Sequence, residues 1–289
     1  EQFFFALAAR EQLAVETYHG HEWIARAGDL VQKFEAADGV VLLDFSGTRP
    51  RGATTSSAPY WVSLTTIPSR SQAVAQVVTT LRAQEPAPAK VMVLRPREYR
   101  VLGKAVGGDV AGAEVLEVRR DDGPITKVTG ALHSAVPRGH RLVTDDDLAK
   151  QPGWAAGLVA PLDDGADVVA YGLWPKARIM WGYLGYGWRE GVVDPGEVLR
   201  FYGRVSDVCW GQDDLVMTAF VQWKGLRVET VEVASATQFN KPVEVAAGIA
   251  HEQDALSDHP DKCRVADRCR AAILEEWGVT FPAWRLQGC

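Results

Sequence analysis

The stretch "APYWVSLTTIPSRSQAVAQVVTTLRAQEPAPAKVMVLRP", residues 58–96, decides the fold. Its apolar, β-branched opening, Tyr60 to Thr66, closes on Pro68 and Ser69 and reads as a strand ending in a turn. Ala73, Val74, Val77, Val78 and Leu81 then recur at helical spacing, so a helix follows, with Ser69 or Ser71 as its expected cap. "AKVMVLRP" returns as a buried strand. Further strands are expected at 114–120 ("EVLEVRR") and 140–144 ("HRLVT"). Strands separated by helical segments predict an α/β fold with a mostly parallel sheet, whose ligands bind beyond the strand carboxyl ends. Ser63–Arg70, Arg120–Lys127 and Asp145–Asp147 all fall at such ends, so they are expected to face one crevice.

The last of these segments carries the most chemistry. Asp145, Asp146 and Asp147 follow a short apolar run, and three like charges at a strand end must be solvated or matched by a cation. Mg²⁺ or Mn²⁺ suits them, because such ions use one or two protein carboxylates and fill their remaining positions with water and substrate diphosphate. Taken alone, "DDDLAK" also reads as the acidic first turn of a helix.

Together, "VSLTTIPSR", the helix ending in "LRAQEPAPAKVMVL", "RDDGPITKVTGAL" and "HRLVTDDDLAKQPGWAAGLV" resemble a GT-A type glycosyltransferase, in the family-2-like group of bacterial polysaccharide and glycan synthesis. The likeness is strongest over 58–160 and continues to about 235, and it lies in the order and spacing of the blocks. Trp154 stands seven residues after Asp147, as the pattern requires; Lys150 replaces the usual aromatic. The resemblance implies a Rossmann-like nucleotide-diphospho-sugar transferase fold, a UDP-sugar donor and hexosyl transfer. It places Asp145 and Asp147 on the metal, and Thr65, Thr66, Pro68, Arg70, Asp121, Asp122, Lys127, Asp145 and Asp146 around the nucleotide.

Residue chemistry agrees with that plan. A divalent ion would act as Lewis acid on the departing diphosphate. Lys127 is the candidate cation for the diphosphate or the acidic site, and also reads as a plain surface lysine. Asp121 and Asp122 are equally turn formers before Gly123-Pro124. Direct displacement needs a base on the acceptor hydroxyl, and Asp213 or Asp214 of "GQDDL" would supply it. Aligning Gly211-Gln212-Asp213 with a Gly-Glu-Asp motif favours Asp213, and predicts inversion. Trp181, Tyr183, Tyr186, Trp188 and Arg189 are candidates for an acceptor glycan or glycolipid; packing explains the aromatics equally well. Gly182, Gly185 and Gly187 suggest irregular backbone close to a ligand. A sugar-phosphate nucleotidyltransferase would carry a Gly-rich Arg-Lys loop where "TTIPSRSQ" stands, and a non-catalytic glycan- or partner-binding domain would not need intact acidic blocks.

Composition bounds the rest. In 289 residues, 47% hydrophobic content supports a large core, and a formal charge of −6 argues against a nucleic-acid partner. Arg95, Arg97, Arg100 and Lys104 read as a solvated face. Four cysteines, at 209, 263, 269 and 289, do not suggest a disulfide framework, so a reducing, cytoplasmic setting is expected, with peripheral membrane association left open. No apolar run has transmembrane length.

Residues 1–57 are expected to form a helical extension, from the spacing of Phe5, Leu7, Leu13, Ile24, Leu30 and Val31, followed by a strand from Val40 to Phe45. Residues 58–240 form the catalytic domain, with a donor half to 160 and an acceptor half after it, and 241–289 form a helical extension. The spacings of His19 with His21, and of His259 with Cys263 and Cys269, do not predict a metal site.

Overall fold

The computed structural model describes residues 58–281 apart from 101–102, 105–107, 130–137, 174–178, 234–237, 239 and 243–260, and, within 1–57, the backbone of five strands. The chain divides into two compact units, Glu1–Ser56 and Ser57–Cys289.

The first unit corrects the expectation of a helical extension. Its strands are β1 (Phe3–Leu7), β2 (Gln12–Thr17), β3 (Glu22–Ala27), β4 (Leu30–Glu35) and β5 (Gly39–Asp44). β3 pairs antiparallel with β4 and parallel with β1, while β2 pairs antiparallel with β5. The sequence signal was Gly28-Asp29, a turn-forming pair of residue types between two strand-like runs. Residues 45–57 and the His19/His21 pair lie outside the described residues.

The second unit begins with β6 (Tyr60–Thr65), α1 (Ser71–Arg82) and β7 (Lys90–Pro96), as the opening stretch predicts. Next come the short β8 (Glu98–Tyr99) and β9 (Gly103–Lys104), then β10 (Glu114–Val118), α2 (Thr126–Thr129), β11 (His140–Val143) and β12 (Leu148–Lys150). α3 (Trp154–Asp163), β13 (Val168–Leu173), β14 (Tyr186–Trp188), α4 (Pro195–Gly203), α5 (Ser206–Cys209) and α6 (Asp213–Trp223) follow. The described elements end with β15 (Val228–Val233), β16 (Asn240–Pro242) and α7 (Lys262–Trp277).

Seven strands form one sheet in the order β10-β7-β6-β11-β14-β13-β15, all parallel except β14. Strand order reverses between β6 and β11. The crevice beyond the carboxyl ends at such a reversal is where open α/β sheets bind ligands.

Alternation along β6 divides its side chains between two layers. Tyr60, Val62 and Leu64 pack with Val74, Val77, Val78 and Leu81 of α1 and with Trp154, Leu158 and Leu162 of α3. Those four α1 side chains are fully buried, a gross contribution of roughly 6–12 kcal/mol. On the opposite face, α4, α6 and α7 enclose Phe201, Phe220 and Ile273.

Neither expected serine caps α1. The chain enters it through a 3₁₀ turn, Pro68–Arg70; Ser69 lies within that turn and Ser71 is already helical. "DDDLAK" opens no helix either, because Leu148–Lys150 pairs with Asn240–Pro242 as a strand.

The cysteine reading also needs correction. Cys209 and Cys269, both fully buried, form a disulfide between α5 and α7, and Cys263 is disulfide-bonded too. Buried pairing removes the ground on which cysteine count suggested a reducing compartment. Among the described residues, no helix is long and apolar enough to cross a membrane. His259 and residues 243–256, part of the expected C-terminal extension, lie outside them.

Candidate active site

Five carboxylates and three cations meet at the β6/β11 reversal. Asp145, Asp146 and Asp147 follow β11 directly, while Asp213 and Asp214 open α6. Lys127, 1% exposed, lies 2.5 Å from Asp145 Oδ1 and 2.6 Å from Asp213 Oδ2, so it joins the two acidic blocks. Arg70, from the turn after β6, lies 2.8 Å from Asp146 Oδ1 and 3.2 Å from Asp147 Oδ2. Lys150, 2% exposed, donates to the Tyr183 carbonyl at 2.9 Å and stands over the Trp154 ring. If every group were ionised, five negative and three positive charges would leave the cluster at −2.

Local backbone explains these positions. Ser63 faces the sheet side opposite α1, and its hydroxyl donates to the Lys127 carbonyl at 2.5 Å, fixing α2 beneath the cluster. β14 runs antiparallel, so the loop before it, Trp181–Gly185, is delivered to the carboxyl edge of the other strands. Gly182 N–H donates to Asp214 Oδ1 at 2.7 Å. A Cβ on Gly182 would collide with Lys127 Nζ and lie 2.9 Å from Asp145 Oδ1, so a side chain there would displace these charged groups. Gly185 has φ +104, and a Cβ there would come within 2.6 Å of Trp154.

Electrostatics separate the carboxyls. Burial raises the Asp145 pKa, but Lys127, with help from Lys150 and Arg70, outweighs it and holds the group below its ordinary value. Burial raises Asp213 despite Lys127. Burial and then the Asp213 charge push Asp214 well above the usual carboxylate range. For Lys127, burial opposes the charged form, but Asp145 and Asp213 reverse the balance and raise its pKa. Lys150 is different: burial lowers it to about 7 despite Asp145 and Asp147.

The expected nucleotide-side residues lie beside this cluster. Thr65 donates its hydroxyl to the Leu94 carbonyl, and the Thr66 carbonyl accepts from Tyr99. Pro68 opens the turn carrying Arg70. Asp121 accepts backbone N–H bonds from Arg100 and Gly123 with its two oxygens, so its carboxylate holds the turn. Buried Asp122 faces Arg120 at 2.9 Å, and its carbonyl accepts from Tyr202.

The expected acceptor set divides. Trp181 and Tyr183 lie in the glycine loop, with ring centroids 5.9 Å apart. Tyr186 and Trp188, 0% and 1% exposed, are core residues and offer no face to a sugar. Arg189 follows the end of antiparallel β14, bonds Asp167 just before β13, and therefore lies at the opposite edge of the sheet from Asp145. Arg95, expected on a solvated face, is instead buried and donates to the Gly108 carbonyl at 2.7 Å.

A divalent ion fits this donor set. Asp145 keeps about a third of its side chain exposed (32%), and Asp146 Oδ2 is buried without a hydrogen-bond partner. Among the described residues, no three histidine, cysteine or acidic side chains are already arranged to hold a metal ion by themselves. Mg²⁺ and Mn²⁺ do not need one when water and a diphosphate complete their shell.

No family model and no curated protein matches the chain. Among solved structures, it is similar to glucosyl-3-phosphoglycerate synthase from Mycobacterium tuberculosis in complex with Mg²⁺ and uridine diphosphate, with 13% identity, a TM-score of 0.46, and coverage of 78% of this chain and 81% of that one. It is also similar to S. aureus TarS 1–349, with 13% identity, a TM-score of 0.45, and coverage of 75% and 65%. At these values the likeness is one of architecture, and no residue role is carried across.

Proposed function

We propose that the protein is a metal-dependent GT-A type glycosyltransferase that moves a sugar from a nucleotide-diphosphate donor, a UDP-sugar by resemblance, to a hydroxyl of a glycan or glycolipid. The observation carrying this reading is the convergence of Asp145–Asp147, Lys127, Arg70 and Asp213–Asp214 at the sheet's strand-order reversal. A net-negative cluster attracts a divalent cation, and Arg70, 18% exposed, stands ready for phosphate oxygens.

Asp145 and Asp147 would hold the metal, whose contribution is to stabilise charge on the departing diphosphate. Thr65, Thr66, Pro68, Arg70 and the turn at Asp121 and Asp122 would line the nucleotide side. Trp181 and Tyr183 would meet the acceptor.

Asp214 is the better-placed base. Asp213 is engaged by Lys127 and only 10% exposed, whereas the Gly182 N–H orients Asp214 and leaves its Oδ2 outside that bond. A carboxylate whose pKa is raised accepts the acceptor's proton more readily. Motif alignment alone favours Asp213; the surroundings of the two groups support Asp214.

Thermal unfolding with UDP, GDP, CDP or dTDP, each with and without Mn²⁺, tests the donor site. A ligand at about a hundred times its dissociation constant stabilises the native state by roughly 2.7 kcal/mol. A Mn²⁺-dependent shift with UDP is expected. No shift with any nucleotide would favour a non-catalytic binding domain.

A further inference from the structure

We infer that Lys127 is an internal stand-in for the divalent cation, holding Asp145 and Asp213 together until metal enters and then passing wholly to Asp213. This inference rests on the metal assignment proposed for Asp145 and Asp147.

Three observations carry it. First, the ammonium is shared between the two acidic blocks, 2.5 Å from Asp145 and 2.6 Å from Asp213, at 1% exposure. Second, the group is caged. Ser63 fixes its backbone carbonyl, and Gly182 packs so closely on Nζ that a Cβ there would displace the ammonium. Third, Asp145 is 32% exposed and Asp213 only 10%, so an incoming ion can reach the first and not the second.

An ammonium has no lone pair to give a metal and can only compete with it for Asp145. Once an ion takes Asp145, the attraction holding Lys127 on that side is offset by the ion's charge. Asp213 remains its partner. Metal entry would therefore tighten the Lys127–Asp213 contact at the first residue of α6, beside Asp214. Lys127 acts here as a positioning residue, through Asp145 and Asp213.

Binding of Mn²⁺ to nucleotide-free protein, followed by the electron paramagnetic resonance signal of free Mn²⁺, tests this without any turnover. Removing the competitor in Lys127→Met should tighten Mn²⁺ binding on the order of tenfold or more. Unchanged or weaker binding in a folded variant overturns the inference. So does a variant that loses only UDP affinity, which would make Lys127 a direct diphosphate contact. If wild-type protein binds no Mn²⁺ with or without UDP, the proposed function fails instead.

Lys127→Met leaves Asp145 and buried Asp213 without their shared cation, which endangers folding, so a second comparison stands beside it. Asp213→Asn leaves Lys127 entirely to Asp145 and should weaken Mn²⁺ binding on the order of tenfold. Asp214→Asn changes the adjacent carboxyl, which the Gly182 N–H holds, and should weaken it much less. Equal weakening in both would reduce the effect to general electrostatics and overturn the inference.

Discussion

Asp213 and Asp214 are chemically identical neighbours, yet the fold gives them different surroundings. α6 begins at Asp213 and turns its carboxylate inward to Lys127, while Asp214 receives the Gly182 N–H. Asp214→Asn should therefore lower kcat by about 10²–10⁴, with Mn²⁺-dependent UDP binding retained. Transfer that survives this change and fails in Asp213→Asn would reverse the assignment. Lys150 permits a separate test by pH. Its pKa falls from the ordinary 10.5 to about 7 on folding because it is buried. Between these values the unfolded chain holds more protons than the native state, so stability rises with pH through that window. Lys150→Met lacks this slope. Urea midpoints at pH 7 and pH 9 should show wild type gaining on the variant by up to about 1.4 kcal/mol per pH unit. A constant difference would mean that Lys150 stays charged.

Between elements, Gln84 joins what the sequence separates. Its side chain donates to the Thr80 and Gln151 carbonyls and accepts from Ala155 N–H, fastening α1 to the start of α3. Trp154, beside it, donates to the Leu184 carbonyl and so locates the glycine loop. Gln84→Ala would leave buried partners unmatched, costing about 1–3 kcal/mol. Denaturant unfolding should show that loss, with faster amide exchange at Ala155; a neutral variant would mean that water replaces the clamp. The blocks behind the family resemblance thus include fastening residues: Ser63 holds Lys127, Gln84 holds α3, and Trp154 holds the loop. Their order and the 2.0 and 3.6 residue periods were legible in the sequence. Their partners were not, since Gln84 meets Ala155 across 71 positions. Neither was the direction of β14, which carries Arg189 to the far edge while leaving Gly182 at the site. In the N-terminal unit, helical spacing over widely separated apolar residues obscured the better local signal, the turn-forming residue types Gly28-Asp29 between β3 and β4.

At the scale of the whole second unit, α7 depends on α4, α5 and α6 for its place. Ala266, Cys269 and Ile273 recur at helical spacing and are fully buried, and Trp277 stacks on Phe201 with centroids 4.6 Å apart. The Cys209–Cys269 bond adds a cross-link across 60 positions, anchoring α7 just upstream of the acidic pair. Cysteine count could not reveal it, because pairing depends on two distant helices meeting. Closing a loop of that length restricts the unfolded chain and stabilises the native state by roughly 4 kcal/mol. Cys209→Ala with Cys269→Ala should therefore lower the urea midpoint strongly. The same change should steepen denaturant dependence, because an unfolded chain without the cross-link exposes more surface. A lower midpoint with unchanged steepness would place the loss in native packing around α5 and α7. An unchanged midpoint would show that α7 is held by its apolar face alone, and the cross-link would then have no part in keeping Asp213 and Asp214 in place.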